Sequence, residues 1–181
     1  MRRLRDASVC VALASVVGLW ATTTSARAQQ PASSLFSDVT RAAWYNVNDL
    51  VLAAAKKMPA EHYAFRPAKE VRTFGEILGH LASEHYAMCG AVSGRPAPAI
   101  SFEKLTSKED LTRVLQDSIA VCDLAYGLLT DENAGFRYGV FNTVATRLAL
   151  LTDNITHDNE HYGNLATYMR IKGVTPPSRG Q

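Results

Sequence analysis

The chain has 181 residues and a formal net charge of +2. It contains no basic patch and no aromatic residues interleaved with basic ones, so the composition argues against a nucleic-acid-binding protein. Without the N-terminal segment described next, about 150 residues remain, enough for one domain with its own hydrophobic core.

The N-terminal segment has the three parts of a secretory signal peptide. A basic MRRLRD stretch precedes the apolar run ASVCVALASVVGLWA, and TTTSARA ends in the small-x-small pattern Ala26-Arg27-Ala28. This predicts a signal peptide over residues 1–28 and a periplasmic or secreted mature protein with no membrane anchor; an uncleaved anchor is the alternative. The mature chain, residues 29–181, keeps 15 basic and 16 acidic residues and is nearly neutral.

Two helices are predicted in the first half of the mature chain. The first runs from about Ser34 to Lys57 and is followed by Pro59, which disfavours helix at the residue before it. Its predicted buried face has helical spacing and consists of Leu35, Val39, Ala42, Ala43, Asn46, Leu50 and Ala54. The second begins with a capping box between Thr73 and Glu76 and ends near Cys89, before Gly90.

Two more helices follow. The third is predicted from about Ser107 to Thr130, and a loop over residues 131–141 separates it from the fourth. The fourth begins at Asn142 or Thr143 and ends at Lys172, where Gly173 suits the position after a helix end. Four long amphipathic helices with few strand signals predict an all-α fold, a four-helix bundle, for residues 29–181.

Two cysteines remain in the mature chain. Cys89 and Cys122 lie in different predicted helices. Export to an oxidising compartment would permit a disulfide between them, and two buried free thiols are the other interpretation. The sequence leaves both open.

The histidines are the residues with most potential for chemistry. His157 and His161 are four residues apart in the fourth helix, so both imidazoles can bind one divalent ion, although such a pair also occurs without a metal. A metal would need a third ligand from His62, His80 or His85. Periodicity alone favours His85, which lies within the apolar arc of the second helix. His80 lies at the edge of that arc, as His157 and His161 do on the fourth helix, so the residues leave the choice open.

Three segments carry a family resemblance: MPAEHYAFRP, TFGEILGHLASEHY and THDNEHYGNLATYMRIKG. With them, the mature chain resembles the DinB/YfiT-like family of metalloenzymes, which are four-helix bundles. In that family a histidine of the second helix, in a Gly/Ala-His-Leu/Ile context, joins an HxxxH pair of the fourth. The resemblance implies that His80, His157 and His161 bind the metal. It also implies that His85 is a core or supporting histidine and His62 a surface one.

The implied function is that of an exported metal-dependent enzyme. Three histidines leave coordination positions open on one divalent ion, which can be Zn, Ni or Fe. The resemblance implies hydrolytic or thiol-transfer chemistry on an unidentified small molecule, although export argues against a low-molecular-weight thiol as co-substrate. Glu84 and Asp153 are candidates to orient the histidine rings, or else ordinary solvated acids.

The sequence identifies no catalytic residue. It contains no HExxH helix, no Ser-His-Asp pattern and no glycine-rich phosphate loop. Two other functional classes therefore stay open: a metal-binding protein without catalysis, and a helical interaction protein in which the histidines are incidental and an exposed helix face forms a homodimer.

Overall fold

The computed structural model describes residues 34–178. The predicted signal peptide lies outside these residues. The elements are the helices α1 (Leu35–Lys57), α2 (Phe74–Ser93), α3 (Lys108–Gly127) and α4 (Arg147–Ile171) and the strands β1 (Arg137–Val140) and β2 (Thr143–Thr146). The prediction of a four-helix bundle is confirmed. Between residues 34 and 178, every helix is too short or too polar to cross a membrane.

The bundle closes around a tryptophan on α1. Helices α1 and α2 each pack against both α3 and α4. The fully buried Trp44 stacks on Tyr126 of α3 with 4.7 Å between ring centroids. Its indole Nε1 donates a hydrogen bond of 2.8 Å to Asp123, so the one polar atom of the ring is satisfied at the edge of the core.

The predicted buried face of α1 is wrong. Leu35 and Val39 are 62% and 61% exposed, and Ala54 is the one member of that face that is buried. The core is instead contacted by the face of Trp44, Val47 and Val51. Because α1 is apolar on several sides, helical spacing does not select one face, and the burial of the large indole ring decides it.

The capping box at the start of α2 is confirmed. Thr73 Oγ1 accepts from the backbone N of Glu76, whose carboxylate accepts from the backbone N of Thr73. The predicted end at Cys89 is wrong, because α2 continues through Gly90 to Ser93 and ends at Gly94, where φ is +72°. A Cβ on Gly90 would lie 2.6 Å from the Arg95 carbonyl oxygen, so this glycine permits a close backbone approach within the helix.

The predicted start of α4 is also wrong, because a hairpin precedes the helix. Strands β1 and β2 pair antiparallel through a two-residue turn, and both turn residues, Phe141 and Asn142, have positive φ. Helix α4 begins after the hairpin, where the Thr146 side chain caps it by accepting from the backbone N of Ala149. Its end agrees with the prediction, since Gly173 has φ +72° directly after the helix.

Cys89 and Cys122 form a disulfide that joins α2 to α3. The sequence left open a disulfide or two buried free thiols, and the structure has the disulfide. The bond closes a loop with a sequence separation of 33 residues, which contains the connection between the two helices.

Candidate metal centre

The structure brings His80, His157 and His161 together between α2 and α4. His157 Nε2 lies 3.0 Å from His80 Nε2 and 3.1 Å from His161 Nε2. The three rings are mutually perpendicular within about 20°, with centroids 4.5–4.9 Å apart. Their ring nitrogens therefore point at one another.

The spacing of the nitrogens fits a single cation. Two imidazole nitrogens bound to one zinc ion at about 2.0–2.1 Å lie roughly 2.9–3.4 Å apart, for angles between octahedral and tetrahedral values. The observed distances of 3.0 and 3.1 Å lie within that range. Without a cation, His157 Nε2 could share a proton with only one of its two neighbours, and the remaining lone pairs would face each other. These three residues could therefore hold a metal ion.

Local packing fixes where each histidine stands. His80 follows Gly79, at which a Cβ would lie 3.0 Å from the Phe102 carbonyl oxygen, so a loop closes tightly over this turn of α2. His157 and His161 are one turn apart on α4 and point in the same direction. The predicted position at the edge of the buried face holds for His157, which is half-buried, whereas His161 is only 8% exposed.

The electrostatics of the centre favour neutral rings. Burial, followed by the positive charge of Arg72 and the two other histidines, lowers the pKa of His80 to about 4. Burial, followed by His157, lowers the pKa of His161 to about 4 as well. Both rings are thus neutral at pH 7 with a lone pair to offer, which is the protonation state a metal ligand requires.

The groups behind the three rings differ. Glu84 lies on the cleft side of α2, and its carboxylate is 3.9 Å from His80 Nδ1, too far for a hydrogen bond but close enough for electrostatic attraction. Asn164 Nδ2 is 3.5 Å from His161 Nδ1. Within residues 34–178, the buried Nδ1 of His157 has no hydrogen-bond partner. Asp153 is exposed, so it is a solvated helix acid.

A second polar cluster lies deeper in the bundle and was not predicted. The Asp158 carboxylate oxygens lie 3.0 and 3.1 Å from His85 Nε2, which donates to them, and His85 Nδ1 is 3.0 Å from Ser118 Oγ. This is a Ser-His-Asp constellation, but the side chains are at most 1% exposed, so no substrate reaches it. It is a buried hydrogen-bonded cluster that joins α2, α3 and α4. The histidine in the apolar arc of α2 was the available signal, since a buried imidazole needs a polar partner.

A cleft of about 1010 Å³ opens beside the three histidines. It lies between α2, α4 and the segment that precedes α2, and His80 and His161 line it together with Glu84 and Tyr168. A volume of this size accommodates a small molecule. His62, the remaining histidine, is half-buried and does not belong to the cluster.

Comparisons with known proteins agree with this architecture. Two crystal structures of DinB-like proteins superpose on the chain. The Bacillus cereus protein has a TM-score of 0.65 and 17% identity over 78% of this chain and 95% of its own. The Bacillus subtilis protein has a TM-score of 0.59 and 19% identity over 79% and 98%. At these low identities, the superpositions show a shared fold and nothing more. No functionally curated protein matches the sequence. The sequence profile of the DinB superfamily matches residues 43–165, and the chain therefore belongs to the DinB superfamily.

Proposed function

We propose that this protein is a metal-dependent enzyme that binds one divalent ion through His80, His157 and His161. The observation that carries the proposal is that His80 Nε2 and His161 Nε2 lie 3.0 and 3.1 Å from His157 Nε2, beside an open cleft. An all-nitrogen set suits Zn, Ni or Fe, and imidazole alone does not rank them.

The residues of the centre support catalysis rather than a purely structural metal. A structural zinc site is closed by four protein ligands, whereas three histidines beside an open cleft leave room for a substrate. A divalent ion bound here would supply Lewis acidity and a lowered pKa for coordinated water or thiol. Glu84, with its carboxylate 3.9 Å from His80 Nδ1, would favour a proton on that nitrogen and so leave the Nε2 lone pair for the ion.

The chemistry we propose is hydrolysis or thiol transfer on a small molecule. Both reactions use a nucleophile activated at the metal ion. The cleft leaves the same side of the centre accessible to the substrate in either reaction. A metal-binding protein without catalysis is the second candidate. Turnover of esters, amides or thiol conjugates by the metal-loaded protein supports the enzyme, and full metal occupancy without turnover of any of these classes favours the second candidate.

We also propose that the protein is exported, with cleavage after Ala28. The disulfide between Cys89 and Cys122 supports this, because such bonds persist in oxidising compartments and are rare in the cytosol. N-terminal sequencing of protein from a periplasmic or culture fraction should begin at Gln29. An intact N-terminus in the membrane fraction would contradict cleavage.

Elemental analysis of the mature protein tests the centre. We expect one equivalent of metal in the wild type and almost none in the variants His157→Ala and His80→Ala, since two remaining imidazoles bind weakly. His62→Ala is the matched control and should keep the full equivalent. Stoichiometric metal in His157→Ala would overturn the ligand set, and metal-free wild type after reconstitution would favour an interaction protein.

A further inference from the structure

The cleft beside the histidine centre is lined by charged side chains of both signs. Glu84 lies one turn after His80, while the segment from Arg66 to Arg72 forms the wall at the opposite, N-terminal end of the helix. At 1.5 Å per residue, each end lies about 6 Å or more from His80 along the helix axis. The histidines thus stand between Glu84 and an end that carries three basic side chains. Glu70 and Glu76 line that same end, and Glu160 of α4 also lines the cleft.

Of the three basic side chains, one remains available. The Arg66 guanidinium is 3.6 Å from Glu76, and the Lys69 ammonium is 3.7 Å from Glu70. Arg72 is close enough to Glu76 for its charge to help lower the pKa of that carboxyl, but it forms no salt bridge with any residue between positions 34 and 178. It is exposed to the cleft, where an anion from solution can reach its guanidinium.

The backbone of Arg72 is held in place from both sides. Tyr168 of α4 donates a hydrogen bond of 3.1 Å to the Arg72 carbonyl oxygen. The next residue, Thr73, is fixed by the capping box of α2. The side chain therefore starts from a rigid point on the cleft wall, which lowers the entropy cost of binding a ligand there.

Arg72 shares the cleft with the histidine centre. Its side chain lines the same cavity as His80 and His161, so a small molecule in the cleft lies beside both the guanidinium and the histidine rings. Next to a bound divalent ion, this positive charge would be repulsive. A substrate anion between the two cations changes that repulsion into attraction on both sides.

We propose that the substrate carries an oxyanion, a carboxylate or a phosphate, which Arg72 binds while the reacting group of the substrate lies at His80, His157 and His161. This inference rests on the proposed function for the reaction centre. A guanidinium offers two parallel N–H donors to either oxyanion, whereas a neutral substrate would leave its charge unpaired.

Calorimetric titration of the zinc-loaded mature protein tests the inference. The probes are phenyl phosphate, benzoate and the neutral benzyl alcohol. We expect at least one anion to bind about tenfold more tightly than the alcohol, and Arg72→Gln to remove that advantage while alcohol binding and zinc content stay unchanged. The matched control is Lys69→Gln, since Lys69 is 91% exposed and its loss should change anion affinity less than about twofold.

The two anions distinguish the two sources of charge. A loss confined to phenyl phosphate identifies a phosphate substrate, one confined to benzoate a carboxylate, and an equal loss supports either oxyanion. Anion affinities that do not depend on Arg72, or anions that bind no better than benzyl alcohol, overturn the inference. Failure of the wild type to bind one equivalent of zinc, nickel or iron(II) overturns the proposed function instead, so the two failures are separate readings.

Discussion

The buried pair of His85 and Asp158 provides a quantitative test of how the helices around the centre are held together. The two side chains are each 1% exposed and lie 3.0 Å apart. Replacing His85 by Leu keeps an apolar side chain in the core but removes the donor to the Asp158 carboxylate. That carboxylate would then be buried between α2 and α4 without its ionic partner.

The expected cost is large for a single substitution. Removing one partner of a buried ion pair destabilises a protein by about 3–5 kcal/mol, because the remaining charge keeps its desolvation penalty without the compensating contact. For a domain of this size, about 2–4 °C of melting temperature corresponds to each kcal/mol, so we expect a decrease of roughly 6–20 °C. Replacing both His85 and Asp158 by Leu should recover most of the loss.

The assay is urea unfolding of the oxidised protein in the presence of a chelator, so that metal binding does not contribute. His62→Leu is the matched control, with an expected change within about 0.5 kcal/mol, since that histidine lies outside the core. A free energy of unfolding for His85→Leu within about 1 kcal/mol of wild type would refute the reasoning. So would a double variant no more stable than the single one.

Three further outcomes follow from the structure. The metal-free protein should lose stability as the pH falls from about 6.5 to about 4. In that window the histidines of the unfolded chain bind protons, whereas His80 and His161 of the native protein do not. A melting temperature that does not change over this pH range would contradict the prediction. Gly90→Ala should destabilise by about 1–3 kcal/mol in urea unfolding, since its Cβ would lie 2.6 Å from the Arg95 carbonyl oxygen, and wild-type stability would show that the backbone moves freely there. Cys122→Ser should cost about 3–4 kcal/mol for the 33-residue separation that the disulfide spans, and thiol reductant should have no further effect on this variant.

Local patterns in the sequence were sufficient to predict the four helices, but not always which face of a helix is buried. The capping box at Thr73 and the glycine at 173 depend on contacts within a few residues, so both ends could be predicted. The buried face of α1 could not, because Trp44 and Leu35 offer competing apolar stripes and only the partner helices choose between them. The hairpin before α4 was missed because its turn, Phe141-Asn142, lacks the usual Asn-Gly signal.

The candidate site divides in the same way. The pair His157 and His161 follows from helical spacing alone, whereas His80 required the family resemblance, since periodicity alone favoured His85. Asp158 was not recognised, because its partner lies 73 positions away on another helix. Contacts between residues so far apart in the sequence leave no periodic pattern from which a single sequence could predict them.

The chain positions of the three histidines set an order of events. His80 and His157 are 77 residues apart, with all of α3 and the hairpin between them. In an unfolded chain, only His157 and His161 are near enough in sequence to bind one ion together, so high-affinity binding at the proposed centre would wait until the bundle has assembled. If the chain is exported unfolded, as a signal peptide would imply, the proposed metal would be acquired after translocation. The ion content of the destination, rather than that of the cytosol, would then decide which metal the protein carries.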